Sequence, residues 1–168
     1  MSTVPFVTCD LLDDNPEKDL QVVIPSMDGK FFQSYGARKT FGGQVVTVKC
    51  FEDNSRVKEL LATDGTGKVL VVDGGASMRC ALMGDLIAES AVKNNWNGVV
   101  IYGCVRDVDA IATLDLGVHA LAAIPQKSNR KGIGEVDINL YFGGVTIQSG
   151  DFIYADNNGI VIAKEKLV

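Results

Sequence analysis

Two short polar segments, each following a run of apolar residues, carry the side chains best suited to chemistry. The first is Gly84-Asp85 and the second is Arg106-Asp107. Carboxylate oxygens are the ligands that Mg²⁺ and Mn²⁺ prefer, and a guanidinium binds carboxylates through a planar pair of donors. Together these groups suit a metal-assisted reaction of a small carboxylic acid.

Gly84 stands where the sequence predicts the start of a helix that runs to about Asn95. The backbone N–H groups of Asp85, Leu86 and Ile87 would then lack partners within the helix, and such groups bind anions. A substrate carboxylate is the natural ligand for them. The alternative is structural, with Gly84 closing a turn and Asp85 capping the helix.

Arg106 and Asp107 follow a predicted strand and begin a predicted helix over Asp107–Asp115. The guanidinium would suit a carboxylate or a keto acid, and the carboxylate would suit a divalent cation, often through water. A capping Asp107 beside a surface Arg106 is the alternative, because a two-residue motif is not specific by itself.

Apolar stretches in the middle of the chain predict the strands that position these segments. The stretches are residues 44–51, 69–72, 99–102 and 120–124. Helices are predicted between them, one of them capped by Asn54, and this alternation is typical of crossover units with a partly parallel sheet. Because ligands gather at the carboxyl ends of such strands, we expect Asp85 and Arg106-Asp107 to meet at one sheet edge.

The last third of the chain has a different pattern. It predicts short strands at residues 138–142, 145–147, 152–155 and 160–163. Hairpin-type turns separate them at Gly143-Gly144, Ser149-Gly150 and Asn158-Gly159. The basic, polar stretch 126–134 is interpreted as a loop. The chain therefore predicts an α/β fold with a three-layer core, a mixed, partly parallel sheet and a β-rich C-terminal third.

The first 40 residues form a predicted irregular segment, since Pro5, Pro16 and Pro25 interrupt regular structure there. The exception is a short helix over Thr8–Leu12, capped by Thr8 or Asp10.

Composition limits the class of protein. The 168 residues fit a single domain over residues 1–168, and 46% hydrophobic residues can build a core without cross-links. The net charge of −5 disfavours direct binding to nucleic acid or to anionic membranes. No apolar stretch approaches the roughly 20 residues that span a bilayer, and no secretory signal opens the chain, so we expect a cytoplasmic protein.

Other reactive side chains fit structural roles more simply. The four cysteines lack the spacing of a zinc site, and Cys80 and Cys104 have no base beside them in the sequence. His119, the only histidine, is expected in the core or at the surface rather than as a ligand. Arg79 could line the site or form a surface ion pair.

Several segments of the chain resemble one known family. They are Phe41–Cys50, Gly74–Ala88, Gly103–Asp109 and Tyr154–Ile160. From about Thr8 to Lys164 the chain is similar to the regulator of ribonuclease E activity A family. That family includes the class II 4-hydroxy-4-methyl-2-oxoglutarate/4-carboxy-4-hydroxy-2-oxoadipate aldolases. The resemblance implies a swivelling β/β/α fold and a homotrimer with sites between neighbouring subunits.

One motif within the resemblance bears on function. The aldolases carry an Asp, then twenty residues, then Arg-Asp, and Asp85 precedes Arg106-Asp107 by that spacing here. Members known mainly as ribonuclease E inhibitors can lack one or both carboxylates. The family often has an acidic residue three positions after the metal-binding Asp. This chain has Ala110 there and Asp109 one place earlier, so Asp109 is not counted as a site residue.

The resemblance also implies a role for each site residue. Gly84 to Ile87 and Arg106 would hold the carboxylate and ketone of the pyruvyl group. Asp107 would hold Mg²⁺ or Mn²⁺, and Asp85 would hydrogen-bond a water on the metal. The implied reaction is cleavage of 4-hydroxy-4-methyl-2-oxoglutarate or 4-carboxy-4-hydroxy-2-oxoadipate to pyruvate. A divalent cation stabilises the enolate that forms, as a Lewis acid. Oxaloacetate decarboxylation, which gives the same enolate, is the implied secondary activity.

The other branch of the family implies a second function, that of a protein-binding inhibitor of ribonuclease E. An acidic surface could bind a basic, RNA-binding stretch of that partner. Both functions are compatible with the sequence, and the intact carboxylates favour the aldolase.

Overall fold

The computed structural model describes residues 5–25 and 31–168. The helices in these residues are α1 (Thr8–Asp14), α2 (Ser55–Leu61), α3 (Asp85–Lys93) and α4 (Val108–Ile111). The strands are β1 (Gln21–Val22), β2 (Gln33–Ser34), β3 (Phe41–Lys49), β4 (Lys68–Asp73), β5 (Ala81–Met83), β6 (Gly98–Val105), β7 (Gly117–Ala123), β8 (Glu135–Val136), β9 (Leu140–Phe142), β10 (Val145–Ile147), β11 (Phe152–Asp156) and β12 (Gly159–Ala163). Among the described residues, no helix has the length and apolar character needed to cross a membrane.

The main sheet is mixed and runs in the order β1-β12-β11-β3-β4-β6-β7-β2. Its centre, β3-β4-β6-β7, is parallel, and the flanking strands β11, β12, β1 and β2 pair antiparallel. The crossovers through α2 and α3 explain the parallel centre, because a helix returns the chain to the starting edge. The predicted mixed, partly parallel sheet is confirmed.

Side chains of β4 alternate between two apolar clusters on opposite faces of the sheet. Leu70 and Val72 pack with the buried residues of α2 and α3, such as Leu61. Val69 and Val71 pack with the residues of β9 and β10, such as Leu140. This alternation follows from the two-residue period of a strand covered on both faces. It gives the expected three layers: helices, central sheet and a second β layer.

Two helix predictions need correction. Thr8 and Asp10 do not cap α1, because Val7 is the N-cap residue and makes no side-chain cap bond. The Thr8 hydroxyl instead donates to Asp156 on β11 at 2.7 Å. The helix predicted over residues 107–115 is shorter, because only the four residues of α4 are helical. The amides of Thr113 and Leu114 donate to carbonyls three residues earlier instead of four, so the α-helix does not continue.

The termini and turns also differ in part from expectation. The first 40 residues contain α1 and two-residue strands, β1 paired with β12 and β2 paired with β7. Strands this short leave no periodic pattern to detect. The turns at Gly143-Gly144 and Asn158-Gly159 join paired strands as predicted. Ser149-Gly150 does not, because β10 pairs with β9 while β11 pairs with β3 and β12.

His119 lies in the core, on β7, and is only 3% exposed. Its ring meets the Phe41 ring edge-on at 5.2 Å between centroids. Neither ring nitrogen has a partner among the described residues. Burial lowers the pKa of His119 to about 4, with a smaller opposing effect from Asp156 and a further lowering by Lys39.

This buried histidine predicts a specific pH dependence of stability. Because the folded pKa of about 4 lies below the unfolded value near 6.5, the unfolded chain takes up the proton first. The free energy of unfolding should fall as the pH drops from about 6.5 towards 4, by about 2 kcal/mol at pH 5. Urea unfolding of the wild type and of His119→Leu at pH 7.5 and pH 5 measures it. Since the chain has one histidine, an equal fall in both proteins would contradict the prediction.

Candidate active site

A cleft of about 450 Å³ lies where α3 begins and β6 ends. It contains all of the site residues predicted from the sequence: Gly84, Asp85, Leu86, Ile87, Arg106 and Asp107. The remaining lining is Asn54, Ala81 and the consecutive residues Lys127, Ser128, Asn129 and Arg130. The expectation that the two polar segments meet at one edge of the sheet is confirmed.

Pairing of β5 with β6 brings the two segments together. The strands are parallel, and Met83, the last residue of β5, is the register partner of Val105, the last residue of β6. The amide of Arg106 continues this pairing by donating to the Met83 carbonyl at 3.0 Å. The next residues on each strand, Gly84 and Arg106, therefore lie side by side although twenty-one residues separate them.

Glycine is required at position 84 because neighbouring atoms lie too close for a side chain. Its backbone angles do not require glycine, since φ is −116°. A Cβ atom built on Gly84 would lie 2.6 Å from Asp107 Oδ2 and 3.3 Å from Arg106 Nε. Any larger residue would therefore push the Asp107 carboxylate away from the start of α3.

Asp107 has a left-handed backbone, with φ of 55° and ψ of 42°. Such a conformation is uncommon for a residue with a Cβ, and strain of this kind concentrates at functional sites. The Asp107 side chain makes no cap bond to its own helix α4. Its Oδ2 instead accepts the amide of Asp85 at 3.2 Å and lies 3.8 Å from Arg106 Nε.

The start of α3 holds carboxylate oxygens on its backbone amides. Asp107 accepts from the Asp85 amide, and Asp85 Oδ1 accepts from the Leu86 amide at 2.8 Å. Gly84 is the N-cap, so Asp85 is the first helical residue rather than the cap. These contacts demonstrate the affinity of the helix start for carboxylate oxygens, which the helix dipole reinforces. Leu86 is 75% exposed at the rim, whereas Ile87 is buried in the core.

Arg106 and the two acidic residues give the cleft mixed charge. The side chains of Arg106 and Asp107 are 39% and 42% exposed, so both are open to a ligand. No group of three His, Cys, Asp or Glu side chains suited to a metal occurs within residues 5–25 and 31–168. The carboxylate donors in the cleft are those of Asp85 and Asp107. One or two carboxylates suit a hard cation that keeps waters and binds substrate oxygens.

A polar stretch that lines the same cleft was not predicted as part of the site. It consists of Lys127, Ser128, Asn129 and Arg130, hereafter the basic wall. Its basic composition is visible in the sequence, but the side of the molecule it faces depends on long-range bonds. The amide of Asn54 donates to the Asn129 carbonyl at 3.1 Å, and Arg130 Nε donates to Asn54 Oδ1 at 3.2 Å.

Other candidate residues lie outside the cleft. Arg79 forms a two-point ion pair with Glu52, at 2.6 and 2.8 Å, which resolves its role in favour of the surface pair. Asp109 is exposed on α4 and does not line the cleft. Cys80 and Cys104 are buried, and burial raises the pKa of both thiols, as expected for unreactive cysteines.

A protein-family model described as Aldolase/RraA, of the RraA-like group, matches residues 8–162. The chain belongs to this family. An Acinetobacter baylyi relative, 80% identical over 99% of this chain and 98% of its own length, is provisionally named 4-hydroxy-4-methyl-2-oxoglutarate aldolase. An Alcanivorax borkumensis relative with the same name is 60% identical over 97% of this chain and 99% of its own.

Solved structures give the same family fold. A Thermus thermophilus structure described as the RNA-processing inhibitor RraA is 39% identical, with a TM-score of 0.88, covering 98% of this chain and 96% of that one. A Geobacillus kaustophilus structure described as an S-adenosylmethionine:2-dimethylmenaquinone methyltransferase is 42% identical, with a TM-score of 0.91. The match covers 96% of this chain and 97% of that one. The predicted family is confirmed, and its members carry different functional names.

The close approach at Gly84 predicts the effect of a single methyl group. Gly84→Ala should displace the Asp107 carboxylate from the Asp85 amide and lower the free energy of unfolding by about 1–3 kcal/mol. Urea unfolding measures the loss, and the amide chemical shift of Asp85 reports the broken bond. Gly103→Ala is the matched control, since its Cβ would meet no atom closer than 3.4 Å. Equal stability of the two variants would contradict the prediction.

Proposed function

We propose that this protein is a divalent-cation-dependent aldolase that cleaves 4-hydroxy-4-methyl-2-oxoglutarate, or the related 4-carboxy-4-hydroxy-2-oxoadipate, with release of pyruvate. The observation that carries the proposal is the contact between Gly84 and Asp107, which joins the start of α3, a guanidinium and two carboxylates in one cleft. The names of the close relatives support the same reaction.

Recognition of the pyruvyl group would use the start of α3 and Arg106. The substrate carboxylate would accept hydrogen bonds from the backbone amides of Asp85 to Ile87, in exchange for the Asp107 and Asp85 oxygens that accept from the first two of them here. Arg106, which is partly exposed in the cleft, would donate to the keto oxygen and stabilise the negative charge that develops there.

Asp107 would hold the cation, Mg²⁺ or Mn²⁺, with Asp85 beside it. Both are oxygen donors, and Asp107 is exposed enough to bind a hydrated ion. The cation would supply Lewis-acid stabilisation of the oxygen that becomes negatively charged.

Bond breaking needs one proton to leave and one pair of electrons to be accommodated. The hydroxyl at C4 loses its proton, the C3–C4 bond breaks, and its electrons pass to the keto oxygen at C2. A proton then returns to C3 of this enolate and gives pyruvate. Asp85 would hold the water that relays the hydroxyl proton, and Arg106 would stabilise the oxygen that gains charge. Loss of CO₂ from oxaloacetate places charge on the same oxygen, so we propose oxaloacetate decarboxylation as a secondary activity.

The basic wall would set the substrate class. Both proposed substrates carry a second carboxylate, away from the pyruvyl group. Lys127 and Arg130 line the same cleft as the start of α3 and would bind that second carboxylate. A methyl transfer from S-adenosylmethionine is less well supported, because the lining of this cleft contains no aromatic residue on which an adenine could stack.

Substitutions in the cleft test the reaction. Arg106→Ala and Asp107→Ala should each lower kcat/KM for pyruvate release by at least about 10²-fold, since each removes stabilisation of the developing charge. A lactate-dehydrogenase-coupled assay with 4-hydroxy-4-methyl-2-oxoglutarate and oxaloacetate measures this. A chelator should abolish turnover in the wild type, and Mg²⁺ or Mn²⁺ should restore it.

Asp109→Ala is the matched control, because Asp109 lies two residues after Asp107 in the chain but is exposed outside the cleft. It should retain wild-type activity. Unchanged turnover in either cleft variant, or full activity in the presence of chelator, would overturn the assignment.

A second candidate is a protein-binding inhibitor of ribonuclease E. The high similarity to the Thermus thermophilus RNA-processing inhibitor favours it. The net charge of −5 would favour a basic protein segment as the partner over RNA itself. Purified protein should slow cleavage of an RNA substrate by ribonuclease E at moderate salt, and Asp107→Ala should inhibit equally, since a surface contact does not need the cleft. No complex at micromolar concentrations would contradict this function.

We also propose that the chain works as a homotrimer. An exposed apolar patch supports a contact between subunits: Phe51, Ile133 and Tyr141 are 59%, 61% and 66% exposed and surround one groove. Light scattering of the purified protein should give about three times the chain mass of 18.0 kDa. A single-chain mass would contradict the trimer.

The cysteines support a cytoplasmic location. All four are free thiols, and Cys50, Cys80 and Cys104 are buried. We propose that the protein works in a reducing compartment, where such thiols persist.

A further inference from the structure

Asp53 is a buried carboxylate that the reaction itself does not use. It lies between β3 and α2 and is 3% exposed. Its Oδ1 accepts the amide of Ser55 at 2.9 Å, and its Oδ2 accepts the amides of Lys131 and Ile133 at 2.7 and 3.4 Å. Burial alone would raise the pKa of Asp53, but the hydrogen bond from the Ser55 side chain and those from the three backbone amides outweigh it and lower the pKa to about 2. The carboxylate is therefore ionised at neutral pH.

The segment around Asp53 holds the Asn129–Arg130 end of the basic wall and the residues after it, whereas β5 holds the Lys127 end, where the Ala81 amide donates to the Gln126 carbonyl at 2.8 Å. The Asn129 amide donates to the Glu52 carbonyl at 3.0 Å, and the Asn54 amide donates to the Asn129 carbonyl. The Gly132 amide donates to Ser55 Oγ at 3.0 Å. These bonds lie on both sides of Asp53. The hydrogen bonds from Lys131 and Ile133 to Asp53 itself fix the chain just after the wall.

An ionised side chain suits this position better than an amide. The two carboxylate oxygens of Asp53 have several acceptor sites and receive three N–H donors. An asparagine would have one acceptor oxygen, and its NH₂ group would face a backbone N–H that needs an acceptor. Leaving a buried donor without a partner is costly, so the loop would move to reach water.

We propose that Asp53 is a positioning residue that sets the Asn129–Arg130 end of the basic wall at the distance required by the second carboxylate of a dicarboxylic keto acid. This inference rests on the proposed function, because it assumes that the wall binds substrate. The other end of the substrate would be held by α3 and Arg106, which depend on the β5–β6 pairing and not on Asp53. Loss of the Asp53 carboxylate should therefore weaken only the recognition of the second carboxylate.

The test compares two substrates and two buried carboxylates. Asp53→Asn should raise KM for 4-hydroxy-4-methyl-2-oxoglutarate by about tenfold or more, with kcat within about twofold. Both constants for 4-hydroxy-2-oxopentanoate, which lacks the second carboxylate, should stay within about twofold. The matched control is Asp156→Asn. Asp156 is 6% exposed and accepts three hydrogen bonds from Thr8 and Asn158, away from the cleft.

Loss of stability is controlled in two ways. Asp156→Asn should reduce the free energy of unfolding to a similar degree while leaving the ratio of kcat/KM for the two substrates unchanged. Ser55→Ala removes the acceptor of the Gly132 amide and the hydroxyl that hydrogen-bonds to Asp53 but leaves the Asp53 carboxylate in place, and it should shift the same ratio in the same direction by about two- to threefold. If Asp53→Asn does not fold, Ser55→Ala decides the question.

The proposal is overturned if Asp53→Asn leaves both substrates unaffected or impairs them equally. If wild-type protein releases no pyruvate from any keto acid, the proposed aldolase function has failed separately. The affinity for 2-oxoglutarate, measured by calorimetry, then decides the positioning role. An affinity that is lowered by Asp53→Asn but not by Asp156→Asn supports it. Equal or undetectable binding in all three proteins overturns it.

Discussion

The site depends on one backbone interaction, the continuation of the β5–β6 pairing by the hydrogen bond from the Arg106 amide to the Met83 carbonyl. This bond ends two parallel strands at the same level. It therefore places Gly84 against Arg106 and Asp107, and it lets the Asp107 carboxylate reach the first amide of α3. A slip of one residue in this register would exchange the faces of one strand and separate these groups.

The electrostatics of the cleft follow from that placement. The helix start and Arg106 attract carboxylates, whereas Asp85 and Asp107 attract cations, and both kinds of group face the same space. An α-keto acid bound to a divalent cation would satisfy both, because it carries oxygens for the amides and the guanidinium as well as for the cation. The strained backbone of Asp107 keeps a carboxylate between the two regions.

The family carries different functional names on one fold, and the surface around the cleft gives a physical reason. The polar cleft and the exposed apolar patch of Phe51, Ile133 and Tyr141 lie on separate groups of residues. Side-chain changes in the patch need not disturb the cleft, because Ile133 binds Asp53 through its backbone amide. A catalytic role and a protein-binding role can therefore coexist in one chain, because fold alone does not set function.

Between residue 41 and residue 123, the sequence by itself determined the longer strands, helices α2 and α3, and the segments whose side chains could do chemistry, but not the length of α4. Apolar strands and the spacing from Asp85 to Arg106-Asp107 are local patterns, readable without coordinates. The short strands β1, β2, β5 and β8 left no such pattern, and the partner of Thr8 lies on a distant strand. Only the tertiary structure placed Lys127–Arg130 in the cleft and Arg79 outside it. Those outcomes depend on long-range hydrogen bonds to Asn54 and Glu52, which local sequence does not encode.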